Sequence, residues 1–164
     1  MTAKHQRLPA TVALQIQDVP TAAEIRARVP DDDRGKFPAG DYVLAIGYSR
    51  GGKLYRTTNQ LPFSLAPTLA LSSTQRDAKG RVTLEIECIP DLWQGQRASL
   101  LLNDREAIAE PFADEKTGML TFAFEGIPPG EYWVRLRVDG VESLLVNRAV
   151  TPPEFDRTQR ATIP

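Results

Sequence analysis

Few residues in this chain have the type and spacing to do chemistry. His5 is the one histidine and Cys88 the one cysteine among 164 residues. A Ser-His-Asp or Cys-His relay needs a histidine base positioned by a folded scaffold, and His5 precedes every strand pattern. No Gly-x-Gly-x-x-Gly run, phosphate loop or paired-cysteine zinc spacing occurs. Asp31-Asp32-Asp33, and Asn103-Asp104 with Asp114-Glu115, are the carboxylate clusters a calcium ion would test. Calcium takes about six to eight oxygens arranged around a turn, whereas adjacent aspartates point apart and repel, so these read as solvated loops. Nothing pairs two carboxylates for glycoside hydrolysis. The expectation is a chain with no catalytic residue, no metal ligand set and no cofactor.

The remaining candidates belong to recognition. Trp133, Arg135 and Arg137 alternate along one stretch, which places an indole and two guanidinium groups on one side of a strand. Trp and Arg are enriched among interface anchors, and this trio is the candidate interface. The competing reading is an ordinary wet sheet face with arginine stems packed over the indole. Tyr42 and Tyr132 each follow a Pro-x-Gly turn at a strand start, the setting of a tyrosine whose hydroxyl bonds nearby backbone. Trp93 reads as a loop residue plugging one end of a sandwich, and Cys88 as a small apolar strand residue.

The elements that carry these residues are written twice. Phe37-Pro38-Ala39-Gly40-Asp41-Tyr42 returns ninety positions later as Ile127-Pro128-Pro129-Gly130-Glu131-Tyr132. Each turn launches a strand with even-numbered apolar residues, Tyr42, Leu44, Ile46 and Tyr48, then Tyr132, Val134, Leu136 and Val138. A hairpin signal follows each, Gly51-Gly52 and Asp139-Gly140. A repeat of this length suits an immunoglobulin-like β-sandwich. The fold expectation is therefore all-β, with tandem immunoglobulin-like modules of which the first is truncated by about two strands and a turn.

The boundaries expected are 1–67 for the partial module, 68–150 for a complete sandwich and 151–164 for an extended, partly tied-down tail. In the first module, strands are expected at Thr11–Gln17, Glu24–Val29, Asp41–Tyr48 and Lys53–Thr58, with residues 31–36 as a loop. Leu61–Pro67 reads as an edge or connector, because prolines 62 and 67 do not suit a central strand. In the second, strands are expected at 69–72, 81–88, 98–102, 106–109, 119–125, 131–139 and 141–146. The expected inward set is Leu84, Ile86, Cys88, Leu100, Leu102, Leu120, Phe122, Phe124, Tyr132, Val134, Leu136 and Val138.

A net charge of −1 gives no electrostatic footprint for nucleic acid or an anionic membrane. No apolar run approaches the length of a membrane span, and the first residues lack a hydrophobic signal core, so the chain reads as cytoplasmic at synthesis. One cysteine excludes an intrachain disulfide.

Several strings then resemble a known family. They are Leu65-Ala66-Pro67, Gly95-Gln96-Arg97, Leu100-Leu101-Leu102-Asn103, the Ile127–Tyr132 turn, Val134-Arg135-Leu136-Arg137-Val138-Asp139-Gly140-Val141-Glu142-Ser143 and Thr151-Pro152-Pro153-Glu154-Phe155. Together they are similar to the C-terminal immunoglobulin-like region of the tube-terminating cap proteins of contractile injection systems, which are phage-tail-like particles. The resemblance spans roughly residues 37–164. Those proteins also carry a tail-terminator-like domain ahead of these modules, and no segment here matches it. The resemblance implies a non-catalytic structural protein within such a particle. It implies cap, sheath or tube components as partners, or self-association through an open sheet edge. A carbohydrate-binding or adhesin-type sandwich, or an ancillary domain of a larger enzyme, are the alternatives.

Overall fold

The two Pro-x-Gly turns fold alike. In the computed structural model, which describes residues 14–17, 21, 24–28 and 37–164, Gly40 and Gly130 adopt φ of 156° and 152°. Tyr42 Oη donates to Pro38 O at 2.5 Å, and Tyr132 Oη donates to Pro128 O at 3.0 Å. The hydroxyl reaches four residues back and fixes the angle at which each strand leaves its turn. His5, residues 31–36 and most of the expected Thr11–Gln17 strand lie outside the described residues.

Ahead of the first turn, β1 (Gln15–Ile16) pairs with β2 (Ala27–Arg28). After it come β3 (Gly40–Leu44), β4 (Gly47–Arg50), β5 (Lys53–Thr57) and β6 (Leu61–Leu65). β3 pairs with β6 and β4 with β5, one antiparallel ribbon interrupted where Ile46 N donates to Thr58 Oγ1. Its tip is the Gly51-Gly52 turn, with φ of 60° and 75°. Pro62 sits on β6, whose one ladder partner among the described residues is β3, as an edge strand allows.

From Thr68 the chain builds two packed sheets. β7 (Thr68–Arg76), β8 (Val82–Trp93) and β11 (Lys116–Phe124) form one, in the order β11-β8-β7. β9 (Ala98–Leu102), β10 (Arg105–Ile108), β12 (Gly130–Val138) and β13 (Val141–Glu142) form the other, in the order β10-β9-β12-β13. This two-layer arrangement is an all-β, immunoglobulin-like sandwich. Between the layers lie Val82, Leu84, Ile86, Cys88, Leu100, Leu102, Leu120, Phe122, Phe124, Val134, Leu136 and Val138, each with at most 4% of its surface exposed. The expected inward register of β8, β11 and β12 is the one observed, with Tyr132 half-buried at the rim.

Two expectations need correction. β8 does not stop at Cys88 but runs to Trp93, which is thus a half-buried strand end and not a loop plug. Pro90 is accommodated because the ladder shifts register opposite it, between Thr117 and Met119, and a bulge needs no amide donor there. The segment beyond Thr151 is also more than a partly tied-down tail. After β14 (Val146–Asn147), β15 (Glu154–Phe155) and a 3₁₀ turn at Arg157–Gln159, β16 (Arg160–Ile163) pairs with the first half of β12. Ala161 and Ile163 complete the core, and Gln159 Nε2 donates to Leu144 O at 2.6 Å. Arg76 clamps the same region by donating to Ile127 O and Pro164 O. Covering the lower half of β12 is the physical reason this segment is ordered into the sheet.

The first turn is built into the second module. Ala39 is buried within the sandwich's core cluster, and Gln96 Nε2 donates to Ala39 O and to Asp139 Oδ2, both at 2.9 Å. Gln96 Oε1 accepts from Trp93 N, so this one side chain ties the turn to two loops.

Removing the pinning hydroxyl with Tyr132→Phe is expected to cost about 0.5–1.5 kcal/mol in denaturant unfolding. Leu136→Ala, at 0% exposure, is expected to cost about 2–5 kcal/mol in the same measurement.

Candidate interaction face

Trp133, Arg135 and Arg137 fall on the outer side of β12, because Val134, Leu136 and Val138 take the inner one. All three are half-buried, and the structure brings each into contact with residues from other elements. Arg135 Nη1 donates to Glu142 Oε2 at 2.6 Å. Arg137 Nη2 donates to Glu142 Oε1 at 2.6 Å and Arg137 Nη1 to Glu106 Oε1 at 3.1 Å. Glu142 therefore holds both arginines side by side, with Glu106 on β10 as the second counter-charge.

The indole is engaged separately. Phe155 lies 5.2 Å from the Trp133 ring centroid at a 47° tilt, and the Arg160 guanidinium carbon lies 5.2 Å above the ring. Arg160 in turn pairs with Glu131. Trp133 N donates to Asn103 Oδ1, and Asn103 occupies the left-handed region at φ 54°. So arginine does pack on the tryptophan, but it is Arg160 and not Arg135 or Arg137. The result is a charge-balanced, braced face with an exposed phenyl edge at Phe155.

The ion pairs set the protonation of this face. Hydrogen bonding from Arg137, with the charges of both arginines, holds the Glu142 carboxyl below its ordinary value, and Glu142 raises Arg137 in return. Glu106 is also held low, first by a hydrogen bond with Ser99 and then by Arg137 and Arg97. Elsewhere, burial and then Asp91 push the Cys88 thiol up to about 12, so it behaves as an inert core group. Among the described residues, no cluster of three or more His, Cys, Asp or Glu side chains is arranged to hold a metal ion. No helix among them is long and apolar enough to cross a membrane.

Sequence reasoning missed Glu142, Glu106, Phe155 and Arg160. Glu142 was within reach of arithmetic. A two-residue Asp139-Gly140 turn sets Val138 opposite Val141 and Arg137 opposite Glu142, as observed. Phe155 and Arg160 belong to the segment taken for a tail.

A family model described as Domain of unknown function (DUF8756) matches residues 64–162, from the end of β6 to β16, and the chain belongs to that family. No curated protein and no solved structure matches it.

Because the Glu142 carboxyl is depressed in the folded chain, its ionised form stabilises the fold above its unfolded value, near 4.5, and that contribution is lost as pH falls through the folded value. Both ends of the pair are about one-third exposed, so the stabilisation is screened to about 1 kcal/mol. Glu142→Gln is expected to melt below wild type at neutral pH, and the difference is expected to close in acid below about pH 4.5. A gap between the two melting curves that stays constant into strong acid would remove the ion pair from the account.

Proposed function

We propose that this chain is a non-catalytic structural and interaction protein of a contractile injection particle, associated with the cap that terminates the tube. The observation that supports a structural role is the junction between the modules. Ala39 is buried in the sandwich's core cluster and Gln96 clasps its carbonyl, so the turn that launches the first ribbon is anchored in the sandwich. The particle itself is inferred from the string Val134–Ser143 and the Thr151–Phe155 segment. The first of these is the β12–β13 hairpin with its own counter-ion, and the second holds the strand that brings Phe155 onto Trp133.

In this reading the partners are cap, sheath or tube components, and the chain is made in the cytoplasm and retained in the assembled particle. A sugar-binding reading has less support, since Trp133 is engaged by Phe155 and Arg160 and does not stand as a bare platform.

The test is co-purification of the tagged full chain with sheath, tube and cap components. The wild type is expected to retain at least one of them. Trp133→Ala with Arg135→Ala is expected to weaken retention if the outer face of β12 is the contact. Unchanged retention in the double variant would move the contact off that face, and retention of none by the wild type would contradict the assignment.

A further inference from the structure

Charge is segregated along this chain. Residues 42–76 carry four Lys or Arg and no Asp or Glu, while residues 77–164 carry ten Lys or Arg against fifteen Asp or Glu. The ribbon side is basic and the sandwich side acidic, and the near-neutral total conceals both.

Three of the four ribbon-side cations, Arg50, Lys53 and Arg56, lie on the β4–β5 hairpin. Arg50 and Lys53 are paired directly across the Gly51-Gly52 turn, and both are exposed. Like charges directly opposite in a ladder repel. The one carboxylate on β3 to β6 is Asp41, which accepts from Ser64 Oγ at the other end of the ribbon and relieves neither of them.

The complement lies on the sandwich. Six carboxylates sit on β7 to β13, and four have a cation: Asp91 with Lys116, Glu106 with Arg137, Glu131 with Arg160 and Glu142 with Arg135. Among the described residues Glu85 and Glu87 have none. They point outward from β8, because Leu84, Ile86 and Cys88 take the inner side, and both are exposed. Two positions apart on a strand sets them about 7 Å from each other. Their neighbours are uncharged: Ala70 and Met119 flank Glu87, while Ser73 and Thr121 flank Glu85, with Ser73 Oγ donating to Glu85 Oε2 at 2.9 Å. Met119, 51% exposed, offers apolar surface on which a lysine or arginine stem can lie.

One chain thus carries a cation pair without carboxylates and a carboxylate pair without cations, and does not join them within itself. Three cations are few for a nucleic acid, which takes roughly six to ten phosphate contacts, or for an anionic membrane, which takes about four to eight basic residues. The acidic sandwich repels both. An unrelated acidic protein would satisfy the hairpin and leave Glu85 and Glu87 bare, whereas a second copy of this chain satisfies both surfaces.

We propose that copies of this chain associate head to tail, the Arg50 and Lys53 end of one hairpin docking on the Glu85 and Glu87 face of the next copy. The two surfaces differ, so the contact is heterologous and each pair leaves a free surface at either end for further copies. This association goes beyond the injection-particle reading, and it is measured on the purified chain with no particle component present, so failure of one leaves the other standing.

The experiment is sedimentation velocity of the full chain at several hundred micromolar, in about 10 mM salt, where charges are felt over about 30 Å, and in about 1 M salt, where they are felt over about 3 Å. At low salt the average mass is expected to rise above the 18.2 kDa monomer and past the dimer with concentration, and at high salt to return to monomer. Arg50→Glu with Lys53→Glu, and separately Glu85→Lys with Glu87→Lys, are each expected to weaken association by about tenfold or more. The milder Arg50→Gln with Lys53→Gln is expected to weaken it in the same direction, which covers the case where the acidic pair disturbs the hairpin. Mixing the two charge-reversed variants in equal amounts is expected to restore assembly, because each then meets the opposite charge on the other. A wild type that stays monomeric at low salt would overturn the proposal. Association indifferent to either reversal, or a mixture that stays monomeric, would overturn it as well.

Discussion

Everything in this chain depends on where β12 leaves its turn. Gly130 supplies a backbone angle that a side chain rarely adopts, and Tyr132 locks it by donating to Pro128. From that fixed start, nine residues alternate without a slip, and the strand is used along its whole length. Its first four residues pair with β16 and its last five with β9, while its final two also pair with β13. A one-residue shift would put Trp133, Arg135 and Arg137 into the core and Leu136 into water. The braced outer face and the apolar inner face are thus two consequences of one register.

The same device at Gly40 and Tyr42 has a different outcome because its surroundings differ. The turn itself is sealed, since Ala39 is buried and clasped by Gln96. The ribbon it launches carries apolar residues where β12 has them, yet no described layer covers them. One local motif therefore serves two purposes, closing a sandwich in the second module and presenting an apolar ribbon beside it in the first. The family match, residues 64–162, spans the closed sandwich and β16.

Much of the sandwich was legible because strict alternation over long runs leaves few alternatives. Leu84-Glu85-Ile86-Glu87-Cys88 and Leu120-Thr121-Phe122-Ala123-Phe124 can bury only one way. β16 was not legible, since Arg160-Ala161-Thr162-Ile163 alternates over four residues with only an alanine and an isoleucine inward, and the nearby prolines argued for a tail. The extension of β8 past Pro90 was hidden for a related reason: β8 itself bulges there, residues 88–91 facing the single residue Gly118 of β11, and a bulged residue owes that ladder no amide. At the face, residue types pointed to Trp133, Arg135 and Arg137, but their partners come from β10, β13, β15 and β16, and only the β13 pairing follows from turn length. The seal between modules was invisible, since nothing marks a glutamine as the donor to a carbonyl fifty-seven residues away.

Residue-resolved amide hydrogen exchange on the monomeric chain measures the central asymmetry directly. A closed sandwich beside a docked ribbon predicts that the amides of Val134, Leu136 and Leu100 exchange only through global unfolding. Those of Tyr42 and Leu44 are predicted to exchange far faster, through local opening. Protection of Tyr42 and Leu44 equal to that of Val134 and Leu136, in the absence of any association, would mean that the first ribbon is part of a closed core and would contradict this account.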